Sequence, residues 1–233
     1  MNETPSSVVE KFQTTPHKLT RSLNRMILQW EKRMSAAKFS EMMQTVSHLF
    51  FQTQEQLLAT PEGDVRARKL HQLIETAIES VSHIQVSCVK ACSACCHFEV
   101  EVTSDEASLL SKLVRDGHLI NRELLAQQAS RAPQDLAWQK GVIPENRCVF
   151  LSSEDICGVY AERPSACRRH SVVTPARLCS DVTAEPVSRN IPIAEIVLSA
   201  AMSLPESRTG TLSQMLTEHL PEESQISQRL ARI

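Results

Sequence analysis

A chain of 233 residues and 26.1 kDa can bury a hydrophobic core without covalent staples. Its 25 Lys and Arg against 27 Asp and Glu leave a net charge of −2, which argues against a nucleic-acid partner held through bulk positive charge. No apolar run approaches the ~18–20 residues needed to span a bilayer, so no membrane partner is expected. Glycine (5 residues) and aromatic residues (4%) are scarce, and chains poor in both rarely build sheets. The expected class is mainly α.

In chain order, apolar residues recur at helical spacing from about Thr15 to Gln56, through Leu19, Leu23, Met26, Trp30, Met42, Val46 and Phe50. This predicts one long helix, or two with a break near Ser40. Pro61-Glu62-Gly63 is a turn signal. A second helix with Leu70, Ile74, Ala77 and Val81 on one face then leads to Cys88. His97–Val102 alternates apolar and polar residues like a short strand, and Thr103 with Glu106 forms a capping-box pattern. That box should open a helix through Leu109 and Val114 ending at Gly117. Another is expected from Arg122 to about Lys140, interrupted at Pro133. Residues 141–190 carry Pro144, Pro164, Pro175 and Pro186 with little periodicity, and read as loops that burial alone would hold poorly. Ile193–Leu204 is apolar on nearly every side and predicts a buried helix, with one or two short helices over 209–231.

The eight cysteines fall in two clusters, Cys88, Cys92, Cys95 and Cys96, then Cys148, Cys157, Cys167 and Cys179. Disulfides are disfavoured. The N-terminus, Met1-Asn2-Glu3-Thr4-Pro5, shows no secretion signal, a cytoplasmic location is expected, and adjacent Cys95-Cys96 cannot easily adopt disulfide geometry. Metal ligation is the stronger reading: gaps of two and three residues aim several thiolates at one point, as zinc and iron–sulfur sites require. The second cluster has longer gaps, suited to ligands on successive loops, so the ordinary zinc-ribbon pattern of two close pairs is missing. Eight thiolates can build two four-cysteine sites or one larger assembly. Arg163 and Arg168 are candidates to offset thiolate charge from outside the ligand set, and His97 and His170 are secondary ligand candidates. His48 and His71 are expected to be structural or exposed. Cys88, Cys92 and Cys95 reproduce a C-x3-C-x2-C spacing found in radical S-adenosylmethionine enzymes, but the repeated strand–helix units of such a barrel do not follow.

Cys88-x3-Cys92-x2-Cys95-Cys96, then Cys148-Val-Phe-Leu, then Ile156-Cys157-Gly-Val-Tyr160-Ala-Glu-Arg163-Pro164-Ser-Ala-Cys167-Arg168 together resemble the YkgJ-type cysteine-cluster family, the CxxCxxCC zinc- or iron-chelating domain. The first gap is three residues where the family's name has two. The resemblance implies a metal-binding domain over 88–180. It would be preceded by an N-terminal helical region, 1–87, and followed by C-terminal helices, 181–233, packed on its loop-rich, cysteine-ligated core.

The function expected is a cytoplasmic metal-binding protein holding zinc or an iron–sulfur cluster, with the 4Fe–4S type as the candidate cluster. The metal ligands would be Cys88, Cys92, Cys95, Cys96, Cys148, Cys157, Cys167 and Cys179. The compact first motif resembles cluster loops more than a zinc knuckle. One alternative is an iron–sulfur-dependent enzyme of methyltransferase or redox type, similar to flagellin lysine N-methylase. Another is a metal chaperone or thiol sensor. No independent acid–base or nucleophile motif supports the enzyme.

Overall fold

The computed structural model describes residues 5–89 and 91–220. They form nine α-helices and one two-stranded sheet, so the mainly α expectation holds. No described helix is long and apolar enough to cross a membrane.

Three helices open the fold: α1 (Pro5–Thr14), α2 (Arg21–Arg33) and α3 (Ala36–Leu58). The predicted continuous segment therefore breaks five residues before Ser40. Ser35 adopts an extended conformation and its hydroxyl accepts the Lys38 N–H, which caps α3 and prevents one helix from running through. Helix α4 (Asp64–Glu79) follows the expected turn, with Gly63 at φ +83° as its N-cap. Asp105 accepts the Gly63 N–H at 2.6 Å, and this bond fastens the start of α4 to the start of α5.

Strand β1 (Glu101–Thr103) leads into α5 (Ser104–Arg115), and the capping box is present in full. The Thr103 hydroxyl accepts the Glu106 N–H, and the Glu106 carboxylate accepts the Thr103 N–H at 3.1 Å. Helix α6 (Arg122–Ala129) is shorter than expected. Pro133 and the left-handed Gln134 (φ +62°) stop it, and only a 3-10 turn, Leu136–Lys140, follows. Between 141 and 190 the one α-helix is α7 (Ser165–Arg169), so the loop-rich reading stands. Helix α8 (Pro192–Met202) is the buried helix; β2 (Thr209–Thr211) pairs antiparallel with β1, and α9 (Leu212–His219) closes the described chain. The helical expectation beyond Pro221 lies outside the described residues.

Helix α8 is apolar on nearly every side because two cores share it, with Glu195 and Ser199 bonded to Thr20. Ile196 and Ala200 join Phe12, Leu23, Met26 and Phe50 from α1–α3, while Ala194, Val197, Leu198 and Ala201 join Leu57, Leu70 and Ile74 from α3 and α4. A third core, from Leu110, Leu124 and Leu216 on α5, α6 and α9, takes in Val149, Phe150 and Val159 from the loop region. The loops thus lie between packed helical assemblies.

Phe50 has no exposed surface and meets the Phe12 ring edge-on at 5.1 Å. Phe50→Ala is expected to lower the unfolding free energy by about 3–5 kcal/mol in denaturant titration. Because the cysteines are on other elements, metal bound per folded chain should be unchanged.

Candidate metal centre

The turn that carries the first four cysteines is set by backbone contacts on both sides. The Ser87 N–H donates to the Val172 carbonyl at 2.8 Å, and the Val172 N–H donates to the Cys88 sulfur at 3.4 Å. Ala91 is held at φ +69°, a left-handed conformation that costs a non-glycine residue about 1–2 kcal/mol, and it reverses the chain just before Cys92. Cys95 and Cys96 occupy the 3-10 turn Ala94–His97. The Cys96 carbonyl accepts the Cys148 N–H at 2.7 Å, which ties the first cluster directly to the second.

Cys148 and Cys157 flank a folded-back loop in which Leu151 bridges Cys157 and the Gly158 N–H donates to the Phe150 carbonyl at 2.9 Å. A Cβ on Gly158 would lie 2.9 Å from His118 Nε2 and 3.1 Å from the Phe150 carbonyl, so a side chain here would displace the His118 ring and crowd the carbonyl. Cys167 sits on α7. Cys179 sits on the 3-10 turn Ala176–Ser180, which packs against the Ala94–His97 turn.

All eight cysteines are free thiols. Cys88, Cys92, Cys95, Cys96, Cys148, Cys157 and Cys167 line one cavity of about 550 Å³. Cys179 lines a separate pocket of about 440 Å³ beside Phe98, Trp138 and Leu178. The sulfurs surround space rather than converge: among the described residues no three His, Cys, Asp or Glu side chains stand close enough to hold one ion. The donor set is nonetheless soft and sulfur-rich, the chemistry that suits zinc or iron–sulfur clusters.

The electrostatics map neighbourhoods among the thiols. The Cys96 thiol donates to Cys95 and brings Cys95 down to about 7 against the opposing effect of burial, with its own backbone amide and Arg163 assisting. Cys96, as donor of that bond, is shifted upward, and negative charge on Cys95, Cys148 or Cys167 raises it further. Burial pushes Cys148 up to about 11 and Cys167 well above the ordinary thiol range. Charge on Cys95 and Cys157 adds to both of these shifts. Burial also raises Cys157, opposed by Arg163, and raises Cys179, where charge on Cys88, Cys92 and Cys95 adds. Cys148, Cys157 and Cys167 therefore oppose one another, Cys179 answers to the first turn, and Cys95 stands between the groups.

The two arginines singled out from sequence have different roles. Arg163 lies 4.3 Å over the Tyr160 ring and beside Cys95 and Cys157, as expected of a group that offsets thiolate charge. Arg168 also lines the cavity, but its head is engaged by Glu75 at 2.6 Å, the Arg163 carbonyl at 2.8 Å and the Ala161 carbonyl, so it braces the loop. His170 is in the cavity wall, where burial lowers its pKa. His97 is buried outside that wall, against the Ser93 carbonyl at 3.2 Å.

The sequence pattern marks Glu106 only as part of a helix cap. In the fold its carboxylate, 1% exposed, also accepts the Ser165 N–H at 2.6 Å, two residues before Cys167, and meets His71 Nε2 at 3.3 Å. Burial works against its charge. The His71 hydrogen bond and charge, with the Ser165 and Thr103 donors, outweigh burial and hold the carboxyl below its ordinary value. One side chain thereby couples α4, the start of α5 and the segment that presents Cys167.

Residues 87–186 match the family model described as "CxxCxxCC: Putative zinc- or iron-chelating domain". The match bears out the resemblance read between Cys88 and Arg168 and encloses all eight cysteines. No curated protein and no solved structure matches the chain.

Glu106→Gln should cost about 1.5–3 kcal/mol of stability at neutral pH, the scale of a charged hydrogen-bond acceptor lost from a buried network. The folded-state pKa is depressed, so this contribution is full above the ordinary value of 4.5 and is lost as pH falls through the folded value. The stability gap between native chain and variant should close on acidification below 4.5 in paired denaturation curves. A gap that is constant with pH would contradict the charged role of Glu106.

Proposed function

We propose that this chain is a metal-binding protein whose cysteines hold zinc or an iron–sulfur cluster in two adjoining four-thiolate sets. The observation that carries the reading is the gathering of seven free thiols, from four separate segments, onto the wall of one cavity. Burial disfavours thiolates there, and several of them oppose one another. A bound cation would supply the missing positive charge and displace the thiol protons. The match of residues 87–186 to a zinc- or iron-chelating family model supports the same reading.

The partition supported best puts Cys88, Cys92, Cys95 and Cys179 in one set and Cys96, Cys148, Cys157 and Cys167 in the other. Its basis is that Cys179 answers to Cys88, Cys92 and Cys95 and its turn packs on the Ala94–His97 turn, while Cys96 answers to Cys148 and Cys167 and its carbonyl accepts the Cys148 N–H. Cys95 acts on members of both sets. Arg163 would offset part of the thiolate charge beside Cys95 and Cys157. We take residues 88–180 as the metal-binding domain, 1–87 as a helical region and 181–233 as helices packed on the core. A reducing, cytoplasmic setting would keep the thiols available.

The test is metal and acid-labile sulfide per chain on protein purified without oxygen, for the native chain, Cys92→Ser, Cys167→Ser, and two double variants. Each single change should empty one set. Adding Cys157→Ser to Cys167→Ser should remove no more metal, whereas combining Cys92→Ser with Cys167→Ser should remove all of it. Sulfide matching iron identifies a cluster, and zinc without sulfide identifies zinc. Full metal content in every variant would refute the ligand assignment.

A further inference from the structure

We infer that the cysteine-lined cavity also binds a small organic acid anion, its acid group held by Arg189 and Ser171 and its apolar body lying along the cavity wall. The inference deepens the metal-binding reading of the same cavity. On the zinc alternative of that reading, the ion lies about 2.3 Å from its sulfurs and fills only the space immediately among them. A cavity of about 550 Å³ is instead in the range of small-molecule pockets, roughly 300–1,000 Å³. Beyond the sulfurs its wall is largely apolar, with Ile78, Val100, Phe150, Val159 and Leu212.

The polar groups in that wall are unevenly satisfied. Arg168 pairs with Glu75, whereas Arg163, whose Nε is also buried without a hydrogen-bond partner, has its charge beside two cysteines. Arg189 has no carboxylate partner among the described residues, and its Nε is buried with no hydrogen-bond partner. Ser171 is 6% exposed, and its hydroxyl is buried and equally unpartnered. Both residues line the cavity. They are also held side by side, because the Arg189 N–H donates to the Ser171 carbonyl at 2.8 Å within the local pairing of Val172 with Ser188. Buried donors left without acceptors are costly and rare in native structures. An arginine and a serine paired across one backbone bridge and both lining a largely apolar cavity match a carboxylate, or a phosphate monoester, on an apolar stem.

The test is calorimetric titration of the full-length, metal-loaded protein with acetate, hexanoate, hexyl phosphate and hexanol. Either hexanoate or hexyl phosphate should bind saturably, which tells carboxylate from phosphate, and roughly tenfold or more tighter than acetate because of the buried methylenes. Hexanol should bind far more weakly. Arg189→Met should weaken the anion about tenfold, as for loss of a charged hydrogen bond, with Ser171→Ala showing a smaller loss in case the arginine variant fails to fold. The inference is overturned if neither anion saturates, if hexanol binds as tightly, or if both variants bind like the native chain. Metal measured on the same samples separates the two readings. Full metal without anion binding removes only the anion site, and anion binding to a chain that never takes up metal removes only the metal reading.

Discussion

Burying thiols among other thiols is the constraint around which the rest of this structure is arranged. A buried thiolate is disfavoured by desolvation and again by each neighbouring thiolate, as the upward shifts at Cys148, Cys157 and Cys167 record. Residues 141–190 contain one α-helix, of five residues, besides short 3-10 turns, and so have few regular backbone bonds of their own to draw on. A bound cation would reverse the sign of the problem, turning mutual repulsion into shared attraction and closing long loops at one point. Of the arginines near the thiols, Arg163 is placed beside two cysteines and Arg189 lines the same cavity, while Arg147, Arg168 and Arg169 pair with carboxylates.

The helices hold the walls against which this happens. Because α8 is buried against α1–α3 on one side and α3–α4 on the other, it makes one body of the first four helices. The third core then fixes the Cys148–Cys157 loop through Val149, Phe150 and Val159. Glu106 connects these assemblies. Its cap contacts belong to α5, its His71 contact to α4, and its Ser165 contact to the segment that bears Cys167. A carboxylate with that many donors has its orientation fixed by them, and it ties the Cys167 segment to both helices.

Local signals were legible and distant ones were not. The Thr103–Glu106 box, the Gly63 turn and the apolar run of α8 depend on residues within a few positions of each other, and each lies where its pattern puts it. Helix α1 escaped notice because its short apolar face gains its value from Phe50 and Phe51 on α3. The break at Ser35 carries no Gly or Pro to mark it. At the site, the cysteine types and spacing were visible, and so was the place of Arg163. The grouping of Cys179 with the first turn was not, since 83 residues separate it from Cys96 and only the packing of two 3-10 turns joins them. Ser171 and Arg189 belong to no motif, and their pairing follows from a single backbone bridge.

We propose that metal holds the loop-rich segment while the helical assemblies stand on their own packing. Hydrogen exchange resolved by peptide, on the full chain before and after metal is stripped by chelator, tests it most directly. Amides of residues 141–190 are expected to lose protection on stripping, while those of α2, α3 and α8 keep theirs. Unchanged protection across 141–190 in the stripped protein would contradict the claim.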